Sequence, residues 1–344
     1  SRRSRRERPD ATGPHLESAV MGDAIAVELD GQYRLLREEA GAARRDELAV
    51  LAVTGPDAVP YLQSQITQDV EKLADGEGAY AALLDRKGHM RTDMRVLRAG
   101  AEELLLVLER IGAEAALTHL RMYSIGHQTE VEDRSEQTAV ISVAGPASAE
   151  VAGVALPAAE HSHAPAEVEG IAARAVRTDV GLDLLCAAGD AERLLAALEQ
   201  RGAHPVDVEA LEILRVESGR PRFGREMTTR TIPQEAGINE RAVSFTKGCY
   251  IGQETVARLH YKGKPNRHLR GLRLAGPAAQ GDEVRLGERV VVEIGTAVVS
   301  PVHGRIALAI LRREAQPGDT VLVGDGVEAT VVEPPFAASE REGA

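Results

Sequence analysis

The sequence predicts an α+β protein: two copies of one mixed α+β unit, followed by a small C-terminal antiparallel β-barrel. Two observations predict the duplication and a third the barrel. Segment 47–54 (ELAVLAVT) is an apolar run that enters Gly55-Pro56, and segment 137–149 (QTAVISVAGPASA) repeats that grammar at Gly145-Pro146. Each opening is followed by a second strand and helix pair, 103–108 into 113–122 and 182–187 into 190–200. From about Arg267 the spacing changes to short β-rich runs punctuated by glycine. Self-similarity marks a repeated supersecondary unit, and closely spaced short strands mark a small barrel.

Taken in order, run 47–54 reads as a buried strand because it is short and apolar throughout. Pro56 fits the opening of a helix, where its missing N–H has no bond to lose. Segment 207–219 (DVEALEILRVESG) reads as a helix with Asp207 as N-cap and Gly219 just past its end. That places Glu217 in the last turn, where the helix dipole disfavours an anion by about 0.3–1 kcal/mol. Glu217 therefore needs a cation, with Arg220 and Arg222 at hand, or a ligand. The barrel runs are 268–274, 283–286, 290–294, 295–299, 305–311 and 320–323, with turns such as Pro317-Gly318-Asp319. The resulting division is a disordered tail (1–22), a first unit (23–136), a second unit (137–266), a barrel (267–335) and a trailing tail (336–344).

A chain of 344 residues is long enough for two or three compact units. Hydrophobic residues make up 43% but aromatics only 3%, with no tryptophan, so the cores must be aliphatic. The net charge is −12 although Arg2, Arg3, Arg5, Arg6 and Arg8 open the chain, which argues against a general nucleic-acid coat. Cys186 and Cys249 are the only cysteines, too few for a disulfide framework, a four-cysteine zinc site or a cluster held by this chain alone. No run is long enough to span a bilayer, and the Arg/Ser-rich start lacks the apolar segment of a secretory signal. A cytoplasmic location without membrane association is expected.

GxGxxG, GxxxxGK[ST], HExxH and GxSxG signatures are absent. His161 and His163, flanking Ser162, are expected to be solvated loop histidines, and no metal site is expected. The stretch Lys247-Gly248-Cys249-Tyr250-Ile251-Gly252-Gln253-Glu254 is more informative, because Lys247 and loop N–H groups could favour a thiolate at Cys249. Between Glu254 and Asp282 there is no acid, while Arg258, Lys262, Lys264, Arg267, Arg270 and Arg273 are basic. This segregated run, read as a hairpin of VARLHY and HLRGLRL around 263–266, is a candidate anion site.

RVESG at 215–219, KGCYIGQE at 247–254 and Val256-Ala257-Arg258 together resemble the YgfZ family of folate-binding proteins, paralogues of the glycine-cleavage T-protein (aminomethyltransferase). The N-terminal stretch from VTGPDAVPYLQSQITQDV to GHMRTDMRV is similar to both families, and the likeness covers roughly residues 23–335. It implies duplicated ferredoxin-like units around a central folate channel, with the barrel as a third domain. It also implies tetrahydrofolate, or a folate derivative, as ligand. Glu217 would then hold the pteridine, whose adjacent donors suit one carboxylate, with Arg215, Tyr250, Gln253 and Arg258 as further cofactor-binding residues. Lys247 and Cys249 would act catalytically beside the channel.

One position departs from T-proteins: Thr92 stands where they carry the first of two adjacent aspartates, and only Asp93 is retained. The expectation is therefore a tetrahydrofolate-binding accessory factor supporting iron–sulfur cluster assembly or repair and cluster-dependent enzymes, including tRNA-modifying ones. The alternative is a folate-dependent, aminomethyltransferase-like one-carbon transferase. The implied partners are folate and iron–sulfur proteins or their assembly factors; direct RNA binding is not expected, since few aromatics are available for stacking.

Overall fold

A computed structural model describes residues 28–337, so the expected leading tail at 1–22 and all but the first two residues of the expected trailing tail at 336–344 lie outside the described residues. The fold is mixed α+β with three sheets. The first sheet holds β2 (Leu48–Thr54), β3 (Gly78–Leu84), β4 (Met90–Gly100), β5 (Glu103–Glu109) and β6 (Glu130–Asp133), in the order β3-β4-β5-β2-β6. The second holds β1 (Gly41–Arg44), β7 (Thr138–Ala144), β8 (His163–Val168), β9 (Ile171–Arg177), β10 (Gly181–Ala187) and β11 (His204–Pro205), in the order β11-β1-β7-β10-β9-β8. β1 precedes the first sheet in sequence yet pairs antiparallel with β7 and parallel with β11. The second sheet is thus not a plain copy of the first.

Period-2 alternation in the strands gives each sheet two apolar faces, and these set the layers. One face of the first sheet packs under α2 (Ala58–Gln65) and α3 (Arg110–Tyr123), through Leu51, Val53, Met94 and Val96 against Leu62, Ala116 and Leu120. One face of the second packs under α4 (Ser148–Ala152) and α5 (Ala191–Gln200). The remaining faces meet each other through Val50, Leu97 and Val107 on one side and Val140, Val176 and Leu185 on the other. Helix α1, described over 28–38, and α6 (Val208–Glu217) pack together on β1.

The third sheet comprises β12 (Arg267–Leu274), β13 (Glu283–Leu286), β14 (Arg289–Glu293), β15 (Thr296–Ser300), β16 (Gly304–Arg312), β17 (Thr320–Val323) and β18 (Val327–Val332). Its order is β14-β13-β17-β18-β12-β16-β15, a curled antiparallel half-barrel with β14 and β15 as its edges. The expected small antiparallel β-barrel is thus present as a half-barrel. Between the two edge strands, Ile294 and Gly295 bond to Asp282 and Leu308 rather than across a seam. β18 went unread in the sequence. Phe336, placed in the trailing tail by sequence, is buried, and its N–H donates to the Glu217 carbonyl at 2.9 Å.

The segment read as the first arm of a basic hairpin is instead helix α8 (Gln253–Lys262). Val256 with Leu259 and His260 makes an i, i+3, i+4 face, on which Val256 is buried and His260 stacks on Phe245 at 3.8 Å. Alternation in a short stretch was outweighed by that contact face. No helix of the described residues is long and apolar enough to cross a membrane.

Candidate functional site

The C-terminal end of α6 sets the site. Gly219 adopts φ +69°, the Gly219 N–H donates to Val216 O and the Arg220 N–H to Arg215 O, which is a Schellman closure. A Cβ at Gly219 would lie 2.5 Å from Pro334, so the turn needs glycine for space as well as for φ. The closure throws Arg220 into the middle of three adjoining cavities, of ≈ 210, ≈ 400 and ≈ 880 Å³, all of which it lines. Together they form a three-lobed channel between the two inner sheets, α6 and the half-barrel.

The smallest lobe lies between the sheets. Its floor is an ordered polar cluster: Ser142 Oγ donates to Asp183 at 2.6 Å and Arg95 pairs with Asp183 at 2.5 Å. Arg95 and Arg45 hold the Asp183 carboxyl below the usual range despite burial. On its rim Arg220 bridges Glu160 (2.5 Å) and Asp179 (2.9 Å), while Arg241 stacks over the Tyr80 ring at 4.8 Å. Arg222 pairs with Glu109 at 2.7 Å and with Glu212 at 3.2 Å.

Against these saturated pairs, two carboxylates stand without a cation. Asp93 is buried, accepts only the Tyr80 hydroxyl at 2.6 Å and leaves Oδ1 with no partner; burial pushes its pKa up. Glu217, also buried, accepts Tyr33 Oη at 3.1 Å and Ser300 Oγ at 2.5 Å and faces the widest lobe. Backbone N–H groups of Val302 and His303 donate to Ser300 Oγ, which commits the Ser300 proton to Glu217. The arginine partners available to Glu217 in sequence are engaged elsewhere, Arg220 with Glu160 and Arg222 with Glu109. Along β4 alternation turns Thr92 toward Gly112 of α3 and Asp93 toward the lobe. The carboxylate facing the cavity is thus the retained one, and Thr92 takes nothing from it.

Arg215 reaches the lobe wall, but its guanidinium is spent on Glu212 (2.6 Å), Glu226 (3.1 Å) and Thr296 (2.8 Å). Lys247, Cys249, Tyr250, Gln253 and Arg258 line none of the three lobes. Lys247 is buried and donates to Gln63 O (2.5 Å), Ile66 O (2.8 Å) and Gln68 O (2.8 Å) at the end of α2, with its ammonium 5.2 Å from the Tyr250 ring centroid. Burial draws its pKa down to about 8. It serves backbone carbonyls, and no contact joins it to the Cys249 thiol. Cys249 itself is exposed, whereas Cys186 is buried in the second sheet's core, where burial pushes its thiol pKa up. Gly252, at φ +86°, lets the loop pass Asp85 O, 2.6 Å from where a Cβ would sit, before Gln253 opens α8.

His161 and His163 correct another expectation, being buried rather than solvated. The His163 N–H bonds to Gly76 O, which pulls the segment onto the first sheet. His161 lines the smallest lobe with Nδ1 unpartnered, and burial, aided by Arg95, lowers its pKa to about 4, so it is neutral at pH 7. Among the described residues no group of side chains is arranged to hold a metal ion. Tyr80 and Arg241 were missed by sequence reasoning, and His161 and Arg220 were read only as a solvated loop residue and as a partner for Glu217. They come from separate segments, and nothing local marks them.

Residues 19–247 match the family described as the GCVT N-terminal domain. The chain is 33% identical to an aminomethyltransferase of Thermus thermophilus over 340 residues, covering 92% of this chain and 95% of that protein. It is 30% identical to an aminomethyltransferase of Thermotoga petrophila over 346 residues, covering 92% and 94%. Among solved structures, the glycine cleavage system aminomethyltransferase T from Bartonella henselae superposes with a TM-score of 0.80 at 20% identity over 90% of both chains, a likeness of fold.

Proposed function

The chain belongs to the GCVT N-terminal domain family, and from that premise we propose that it binds tetrahydrofolate, or a folate derivative, in the three-lobed channel and serves folate-dependent one-carbon transfer of the aminomethyltransferase type. The observation that carries this reading is Asp93: a buried carboxylate with one oxygen unpartnered, in a cavity whose other charges are paired. A buried acceptor without a donor is unfavourable by roughly 1–3 kcal/mol, and a pteridine edge with adjacent N–H donors would relieve it. The residues present therefore fit the group. When bound, tetrahydrofolate supplies the nitrogens that hold the one-carbon unit.

The chain's own residues would bind and orient it. Asp93 takes the donor edge in the smallest lobe, with Tyr80 holding that carboxylate in place and neutral His161 offering a second acceptor. Glu217 has lone pairs left after Tyr33 and Ser300 and takes ligand donors in the wide lobe, where Arg37 and Arg177 also lie. Titration with tetrahydrofolate should show one site per chain. Glu217→Gln should weaken it about ten- to a hundredfold, as expected for a charge-assisted partner. Undiminished affinity in that variant would remove Glu217 from the site, and no binding by the parent would remove the reading.

The exposed Cys249 favours a second reading, the YgfZ-like one, in which the protein supports iron–sulfur enzymes. A thiol outside the channel is free to meet another protein as a transient ligand or nucleophile. Mild alkylation should modify Cys249 well before Cys186, and folate should not protect it, because it lines none of the lobes. In cells, Cys249→Ala should abolish support of iron–sulfur enzymes on this reading and leave it intact on the first. An aminomethyl-transfer assay with tetrahydrofolate and a lipoylated carrier gives the converse outcome.

A further inference from the structure

Cations that the channel does not use gather at one corner of the molecule. A cavity of ≈ 320 Å³ opens where the β3–β4 turn, segment 230–235 and the facing ends of β12 and β16 meet. Arg230, Arg267, Arg312 and Arg313 line it, together with His89 and two acids, Glu235 and Glu314. It shares no residue with the three lobes of the channel. β12 and β16 pair Arg267 opposite Arg312, and the Arg313 N–H donates to Asn266 O at 2.9 Å, so three of the four guanidinium groups spring from one rigid corner of the sheet. Thr231, next to the fourth, accepts the Met90 N–H at 2.9 Å, which ties its segment to β4.

None of these four guanidinium groups makes an ion pair or a side-chain hydrogen bond among the described residues. The contrast with their neighbours is direct, since Arg270 pairs with Glu333, and Glu314, at the cavity's edge, is taken by Arg289. Burial holds the Glu235 carboxyl above its ordinary range, although Arg267 nearby draws it the other way. Four like charges around one cavity repel one another, and in a chain of net charge −12 acids were available to neutralise them.

We propose that this corner binds a ligand carrying two or more phosphate groups, either a free polyphosphate or consecutive phosphates of a nucleic-acid backbone. Guanidinium forks engage phosphate oxygens in bidentate fashion. A terminal phosphate puts up to two charges and three free oxygens on one centre, and a nucleic-acid backbone repeats singly charged phosphodiesters at short spacing, so four forks around one cavity match an anion with several charges close together rather than a lone carboxylate. Before Arg267 in sequence come Arg258, Lys262 and Lys264, again without ion pairs among the described residues, and Tyr261 among them is 67% exposed. The response of binding to these lysines separates the two sources.

The test uses the full chain, calorimetry with inorganic pyrophosphate, and anisotropy of a labelled single-stranded oligoribonucleotide at low and moderate salt. Pyrophosphate should bind, and the Arg312→Glu/Arg313→Glu double variant should lose about tenfold or more of that affinity while tetrahydrofolate binding is unchanged. Arg230→Ala, on the other wall, should weaken it in the same direction. An oligonucleotide that binds more tightly than pyrophosphate, with a steep salt slope and loss in Lys262→Glu/Lys264→Glu, assigns the backbone source. Pyrophosphate binding as well or better, indifferent to those lysines, assigns the free polyphosphate. Equal affinity for a short oligoglutamate, indifference to both arginine changes, or no binding of either phosphate probe overturns the site.

Discussion

Asp93→Asn is expected to lower tetrahydrofolate affinity about a hundredfold while leaving the thermal midpoint at or above the parent's. The binding loss follows from exchanging a charged acceptor for an amide whose NH₂ faces the ligand's donors, an effect of roughly 3 kcal/mol for a buried charge-assisted bond. The stability half follows from linkage. Burial raises the folded-state pKa of Asp93 above its unfolded value of about 3.9, so in that window the folded state holds more protons than the unfolded one. Stability therefore falls as pH rises through the window, so above the unfolded value Asp93 is a net burden on the free protein. Asparagine removes that burden and can still accept the Tyr80 hydroxyl, which is 2.6 Å from the carboxylate. Binding titrations with melting curves at pH 7 check both halves. A variant that melts well below the parent and binds folate normally would make Asp93 a structural residue.

Lys247→Met is expected to act in the opposite way, on stability first. Removing the ammonium strands three carbonyls, those of Gln63, Ile66 and Gln68, at the end of α2, where Ile66 is fully buried. Unsatisfied buried acceptors cost roughly 1–3 kcal/mol each; with partial rescue by water, a total of about 3–4 kcal/mol is reasonable, a fall of about 5 °C in the thermal midpoint. Lys247→Arg should recover little, because a planar fork cannot match three converging acceptors. Tetrahydrofolate affinity measured well below the midpoint should stay within about threefold of the parent, since Lys247 lines none of the lobes. Full thermal stability combined with lost function would instead make Lys247 a chemical participant.

The two predictions divide what the motif residues do. RVESG and KGCYIGQE are the most informative words in the sequence, yet they occupy different places: Glu217 looks into the channel, while Lys247 fixes a helix end and Cys249 looks into solvent. Lys247 is best understood as a positioning residue. It ties the loop that carries Cys249 to α2 of the first sheet's helix layer.

By itself the sequence determined the apolar strands that open and follow each unit, most of the half-barrel strands, the helices beside them and the end of α6, because these depend on neighbours a few residues apart. The apolar runs at 48–54 and 138–144, and Gly219 after Glu217, are local signals with local consequences. α8 was misread because its contact face, Val256 with His260 against Phe245, becomes visible only when the partners are in place. Tertiary structure alone decided which charges are spent. Arg215, Arg220 and Arg222 look alike in sequence, but folding pairs Arg220 and Arg222 with acids from distant segments, spends Arg215 on Glu212 and Glu226, and leaves Asp93 and Glu217 without a cation among the described residues. It likewise buried His161 and His163, and left four arginines at the β12–β16 corner without an ion pair among the described residues. Charge pairing acts over a few ångströms, between residues that the chain places far apart in order, so the site became legible only in three dimensions.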